Sequence, residues 1–552
     1  MKCRSLLIAF LAIALAMTLA ACSGGNNGGN NEGEKSTTTN APSNSTGTND
    51  KTAATTATEE PDAESKVKFT VSYMDGLWDT AIPAPQGPAV TAINEKFDID
   101  FKPQFFFMQE YPDKLAVTMA SGDLPDMIGQ EGPDANFVKW AKQGAFLPLN
   151  DMIKKYPTLS QIPQDIWDSV SVEGKVYAIP RWFPKKYGKR PVIRKDWLDN
   201  LGLKMPTNYE ELKNVLVAFT KQDPDMNGKN DTLGMGISSV GTGLLYGAAM
   251  SVGWDSGAWY YKNDKGQLIP GIITSQHKDE IQFLADLYKE GALSKDWAVA
   301  KQSDVRNDFF TGKYGMYFEQ PYDFNQKRFT ALRELQPTAN LAVIPPFAQE
   351  DGQSGYVASG KGFYQMIMLS GHLKDHPEKA DRILGMLDYM STFVPWEQRT
   401  ANHADFDWQN GGLGKGYEIK DGIPVDIPDA QDVRPRSYLI GRYWAPNEEA
   451  VQPQNAFTDP LAKQFVQDAV ETLKAVKFYK NPVDYITSAV ADEKGSELDQ
   501  AFTDHVTRMI VGDENMDKWD TAVNEYLDNG GQEIIDDVNE IITEKNVTPG
   551  WE

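Results

Sequence analysis

Cysteine is nearly missing from this chain of 552 residues: there are two, Cys3 and Cys22, both within the first 22 positions. Everything after them lacks the sulfur for a disulfide or a thiolate metal site. Histidine is almost as scarce, with five residues scattered at 277, 372, 376, 403 and 505. His372 and His376 have the spacing of one helical face, but Pro377 follows at once and no H-E-x-x-H is present, so they read as a surface helix start rather than a zinc site. A G-x-S-x-G elbow, a Walker loop and a C-x-x-C pair are also absent, which removes the enzyme classes built on them. Positive charge is in the minority, 54 Lys and Arg against 78 Asp and Glu for a net charge of -24. Such a field repels nucleic acid and anionic lipid, so no nucleic-acid partner is expected. Pairs such as Asp405/Asp407 and Asp536/Asp537 arise by chance in so acidic a chain and do not by themselves indicate glycosidase chemistry.

What is present is a long, ordinary globular composition, 41% hydrophobic and 24% charged. That length exceeds what one core supports, so two or more lobes are expected. Lys2 and Arg4 precede the apolar run from Leu6 to Met17, too short for a membrane span and suited to an export signal over 1–21. The signal ends in Leu19-Ala20-Ala21-Cys22, which resembles the lipobox of bacterial lipoproteins. That resemblance implies a lipidated Cys22, whose two acyl chains would hold the protein on the extracytoplasmic face of the cell membrane. After Cys22, residues up to 65 are Gly, Asn, Ser, Thr, Ala and charged groups with almost nothing to bury. This stretch is expected to be a disordered tether with a reach of about 35 Å.

From 67 onward, V-K-F-T-V-S-Y alternates as a strand, 89–97 has helical spacing, 98–107 reads as a strand, 111–120 as a helix and Met127-Ile128 as a short strand. Strand-helix alternation predicts an α/β sheet whose ligand sites lie at the carboxyl ends of its strands. Further on, 210–220 and 278–291 have amphipathic helical spacing, while 341–344 and 363–369 are apolar runs of strand length.

The segments S-G-D-L-P-D-M-I (121–128), G-A-F-L-P-L-N (144–150), V-E-G-K-V-Y-A-I-P (172–180), V-I-R-K-D-W-L-D-N-L-G-L-K-M-P-T (192–207), F-T-G-K-Y-G-M-Y-F (310–318) and M-I-V-G-D-E-N-M-D-K-W-D (509–520) together resemble the extracellular solute-binding proteins of bacterial carbohydrate ABC importers, in the large lipoprotein branch that includes alginate-binding proteins. The resemblance implies a two-lobe α/β periplasmic-binding-protein-like fold of the Venus-flytrap type. Discontinuous lobes would hold 66–185 with 355–410, and 186–354 with 411–552. It also implies a monomeric, non-enzymatic binder that hands a glycan to the membrane permease subunits of an ABC transporter. Two other readings are a secreted polysaccharide-degrading enzyme and a binder of peptides or other non-sugar solutes.

Thirteen Trp and 22 Tyr offer flat amphipathic rings on which sugar C–H faces stack. Position selects among them. Trp78 follows the first strand, Gln130 and Glu131 follow Met127-Ile128, Arg181 and Trp182 follow Y-A-I-P, and Trp254 sits in a glycine-flanked loop. Tyr322 corresponds, by resemblance to maltose-binding relatives, to a sugar-stacking aromatic after a proline. Trp444, in G-R-Y-W-A-P, is a further candidate. Trp78 and Gln130 are expected on one lobe, with Trp182, Trp254 and Tyr322 on the other. Arg181, Arg194 and Lys195 are the candidate cations of a local basic pocket. Finally, Asp223, Asp225, Asn227, the Lys229 carbonyl and Asp231 match the first nine positions of an EF-hand loop with Gly228 at its turn, predicting a structural calcium site. Gly234 replaces the bidentate Glu of position 12, and Thr232 stands where alginate-binding relatives carry an acidic residue.

Overall fold

The computed structural model describes residues 68–552 except 79–80, 187, 239–249, 323, 359 and 440–442. The expected signal, Cys22 and the whole of the tether lie outside the described residues. The alternating start becomes the strand Phe69–Leu77. It is followed by the helix Pro88–Phe97, whose proline lies in the first turn, where a missing N–H costs nothing. Next come the strand Ile99–Phe107, the helix Tyr111–Ser121 ended by Gly122 in the left-handed region, and the strand Met127–Glu131.

These three strands run parallel and belong to a five-stranded sheet of spatial order 99–107, 69–77, 127–131, 363–369, 178–182. The strand Phe363–Leu369 is antiparallel to both its neighbours, Met127–Glu131 and Ala178–Trp182. Ala178–Trp182 therefore points the same way as the first three strands. The carboxyl ends of 69–77, 127–131 and 178–182 share one edge.

A second sheet, of four strands, has the order Leu341–Val343, Arg190–Arg194, Tyr314–Glu319, Leu233–Met235. Helices Tyr209–Lys221 and Ser275–Lys289 start at Asn208 and Thr274, whose side chains accept the backbone N–H groups of Glu211 and His277. A small three-stranded sheet joins Tyr356–Val357, Phe478–Lys480 and Gly550–Trp551.

Each large sheet has its own buried core, as an α/β architecture requires. The first core also takes in Tyr438, Leu439, Trp444 and Ala445, residues that the sequence boundaries assigned to the other lobe. Trp182 likewise belongs to the same sheet as Trp78 and Gln130, not to the opposite half, because its strand pairs with 363–369 before the chain crosses over. Among the described residues no helix is long and apolar enough to cross a membrane.

Candidate ligand site

The shared strand edge gathers five of the residues picked from sequence. Trp78 is 59% exposed just past the first strand, and its indole N–H donates to the Glu131 carboxylate at 2.5 Å. A tryptophan held so far out of the core exposes a face for stacking. Gln130 is buried, and its side-chain carbonyl has no hydrogen-bond partner. Trp182 ends its strand only 8% exposed, as buried as Trp254, in ring contact with the half-buried Tyr322, centroids 6.2 Å apart and planes at 52°. Tyr322 follows the second-sheet strand Tyr314–Glu319 and packs against both the first core and the core of the second half. The two aromatics thus meet where the two halves adjoin.

Arg181 is bound up inside the sheet. Its Nη2 donates to Asp75 and, at 2.6 Å, to the Tyr73 hydroxyl, while Nη1 donates to Gln365 at 2.8 Å. Asp75 is 0% exposed and also accepts from the Tyr73 hydroxyl and the Gly76 backbone N–H. Burial alone would pull the Arg181 guanidinium down, but the Asp75 charge beside it holds it above its ordinary value. Gly129 makes room for this pair: a Cβ there would lie 2.0 Å from the Asp75 carboxylate. Arg194 is tied bidentately to Asp196 at 2.8 and 2.5 Å, and Lys195 pairs with Asp199 at 2.7 Å. All three cations of the expected basic pocket have acidic partners.

Trp254 and Trp444 are each buried against protein. Trp254 is 7% exposed and stacks face to face on Tyr209, centroids 3.3 Å apart, with Phe283 edge-on. One of its faces is therefore occupied by protein. Trp444 is buried in the first core, and its backbone N–H donates to the Ser391 carbonyl.

A group missed by the sequence reading is a cation set among aromatic rings of the first half. Arg399 sits among Phe393, Trp396 and Tyr443, with its guanidinium carbon 5.9, 4.9 and 5.2 Å from their ring centroids. The signal was an arginine closing the aromatic run F-V-P-W-E-Q-R after the helix Pro377–Ser391.

In the acidic loop, Asp223 accepts the backbone N–H groups of Asn227 and Gly228, and the Asn227 amide nitrogen lies between Asp225 and Asp231. Among the described residues no three His, Cys, Asp or Glu side chains converge as a metal cluster. Two buried oxygens nevertheless lack partners, Asp225 Oδ1 and Gln336 Oε1, and the Gln336 amide nitrogen donates to Asp225 at 2.9 Å. Burial, then the adjacent Asp223 and Asp231 carboxylates, pushes the Asp225 carboxyl above its ordinary range. A divalent cation relieves that repulsion, so the residues fit calcium; Gln336, 111 positions from Asp225, was not legible as a neighbour.

Two α/β halves, each built on its own sheet and core, are the architecture of a solute-binding fold. Residues 88–380 match the family described as bacterial extracellular solute-binding protein, and the chain belongs to it. It is a binding protein, not an enzyme. Among relatives, it is 28% identical over 491 residues to lipoprotein LipO of Bacillus subtilis (strain 168), covering 88% of this chain and 94% of that one. It is also 28% identical over 500 residues, with the same coverage, to the polygalacturonan/rhamnogalacturonan-binding protein YtcQ of the same strain. The Streptococcus pneumoniae ABC-transporter substrate-binding protein FusA, solved with kestose, superposes with a TM-score of 0.61 at 17% identity, over 86% of this chain and 99% of FusA. FusA has also been solved as an EF-hand mutant with fructo-nystose.

Proposed function

We propose that this protein captures an oligosaccharide between its two halves and delivers it to the membrane permease of an ABC transporter. The observation that carries the reading is the exposed Trp78, held by Glu131, on the same strand edge of the first sheet where Trp182 meets Tyr322 of the second half. Rings supply stacking faces, and Glu131 and the unsatisfied Gln130 carbonyl supply acceptors for sugar hydroxyls. The names of YtcQ and FusA, one a polysaccharide binder and the other an ABC-transporter component, support the same class. A ligand touching both halves binds the closed arrangement more tightly than the open one, so closure is a population shift. A glycan panel tests this: binding changes tryptophan emission, compacts the protein in solution scattering, and weakens by roughly 1–3 kcal/mol when the exposed Trp78 is truncated to Ala. Binding of peptides but no glycan refutes the saccharide assignment.

Two subsidiary readings go with it. Cys22 carries the lipid anchor, supported by the lipobox and by the name of LipO; Cys22→Ala should release the protein from the membrane fraction and abolish lipid labelling. Calcium is held by Asp223, Asp225, Asn227, the Lys229 carbonyl and Asp231, with Gln336 as an added oxygen, and when bound it supplies charge neutralisation that fixes the loop.

A further inference from the structure

A cavity of about 550 Å³ in the second half is built on one stripe of the helix Ala489–Val511. Asp492, Gly495, Ser496 and Asp499 fall on that stripe at helical spacing, and Ile272 and Ile534 add apolar lining. Gly495 is the telling position. A helix interior disfavours glycine relative to alanine, yet a Cβ at 495 would meet nothing within 4 Å, so no packed neighbour requires its absence. What the missing side chain does is leave the cavity open.

Three polar groups that line this cavity lack partners. Trp259 and Tyr526 are 7% and 6% exposed, yet among the described residues the indole N–H and the phenol hydroxyl make no hydrogen bond. The N–H groups of Trp197 and Trp297 are also unpartnered but sealed in the core, whereas those of Trp259 and Tyr526 open on the cavity. The Asp499 carboxylate likewise has no hydrogen bond or ion pair among the described residues. Burial raises it to about 6, with no cation near enough to offset the effect. The cations of its own helix are engaged elsewhere, Lys494 with Glu533 and Arg508 with Glu514. Asp492 lies two helical turns away, about 10 Å along the axis, so the two carboxylates do not converge on one metal ion. Asp492 instead accepts the Ala135 backbone N–H of the first half at 2.6 Å, four residues past Glu131.

An unpaired, half-buried carboxylate beside two free donors and apolar walls suits a compact ligand with a positive charge, oxygen acceptors and a carbon skeleton. We infer that this cavity binds a small organic cation, its ammonium on the Asp499 carboxylate, its skeleton against Ile272 and Ile534, and its hydroxyl oxygens on the Trp259 N–H and the Tyr526 O–H. The volume is that of a small-molecule site, and the chain's net charge of -24 draws cations toward it. Such an ammonium has two sources, a free hydroxylated amine or an amino-sugar unit of the oligosaccharide. The second is within reach because Asp492 joins the cavity to the first half close to the Trp78–Glu131 edge. The inference stands on this cavity alone and does not depend on the saccharide reading.

The test is calorimetric titration of the full chain near neutral pH with glucosamine, aminocyclohexanol and the fully deacetylated chitosan trimer, beside their uncharged counterparts glucose, cyclohexanediol and the acetylated trimer. At least one amine should bind, and more tightly than its counterpart. Asp499→Asn should weaken that amine by roughly 10- to 100-fold, because what is lost is a charged hydrogen-bonded pair. Gly495→Leu, which fills the cavity, should abolish binding, whereas Gly495→Ala should melt no lower than the parent. Melting curves of the variants separate lost binding from lost fold. Tightest binding of the trimer, weakened by Trp78→Ala, marks an amino sugar as the source; tightest binding of aminocyclohexanol, untouched by Trp78→Ala, marks a free amine. No binding of any amine, or uncharged counterparts that bind as tightly, overturns the inference. So does an amine that binds Asp499→Asn as tightly as the parent, which is diffuse attraction to an acidic protein. In each of those cases the saccharide reading stands.

Discussion

Replacing Arg181 by Leu separates two roles for that residue. If it served mainly as a ligand contact, the variant would melt like the parent and bind weakly. The structure instead makes it one half of a buried ion pair: Arg181 is 7% exposed, Asp75 is 0% exposed, and the guanidinium also satisfies Tyr73 and Gln365. Removing one member of such a pair strands the other charge in a low-dielectric interior, which costs about 3–5 kcal/mol. For the half of the molecule built on the five-stranded sheet, this corresponds to a fall in melting temperature of roughly 6–20 °C. Adding Asp75→Asn removes the stranded charge while keeping an acceptor for the Tyr73 hydroxyl, so the double variant should regain much of the loss. The assay is a set of thermal melts of parent, Arg181→Leu, Asp75→Asn and the double variant, with coupling taken from the cycle. A single variant within about 1 kcal/mol of the parent, or a double variant no better than Arg181→Leu, refutes the reasoning.

The buried, stacked Trp254 and the exposed Trp78 should behave oppositely on truncation to Ala. The first should lose about 3–5 kcal/mol of stability, whereas the second should melt within about 0.5 kcal/mol of the parent yet bind glycan more weakly, as read by melting and calorimetry. Chelator should lower the melting temperature of the parent, less so that of Gln336→Ala and not at all that of Asp225→Ala; identical parent melts with and without chelator count against the metal site. Asp499 lines a cavity of about 550 Å³ with Trp259 and Tyr526, and burial pushes its carboxyl from an ordinary 3.8 up to about 6. Because the folded state holds that proton more tightly, its stabilising effect is full below about pH 4 and is lost as pH rises through 6. Allowing for its partial exposure, Asp499→Asn should gain roughly 1 kcal/mol at pH 8 and nothing at pH 4, measured by denaturant midpoints.

The local elements were legible because their information is local. Period-two alternation and helical spacing placed 99–107, 111–121 and 363–369 to within a residue or so, and Pro88 and Gly122 mark helix ends by their own backbone limits. Partnership across the chain was not legible. Trp254 looked available in its glycine-flanked loop, but Tyr209 covers one face from a helix that starts about 45 residues earlier. Arg181 looked like a cleft cation, but Asp75, 106 positions away, had already claimed it. Arg399 carried no periodic pattern at all, and one of the rings around it, Tyr443, lies 44 positions away. The strand-end positions of Trp78 and Trp182 were legible because the carboxyl end of a strand can be located from the strand alone.

The strand Phe363–Leu369 lies between Met127–Glu131 and Ala178–Trp182 in the five-stranded sheet. Until it arrives, both of those strands have a bare edge, and the first half of the molecule is a sheet with its middle missing. A fragment ending at 185 should therefore associate through those edges instead of folding alone. The intact chain must make most of its second half before its first half can close, a long-range closure that slows folding. For a member of an extracellular protein family, such a delay keeps the chain threadable through a translocation channel until most of it has crossed.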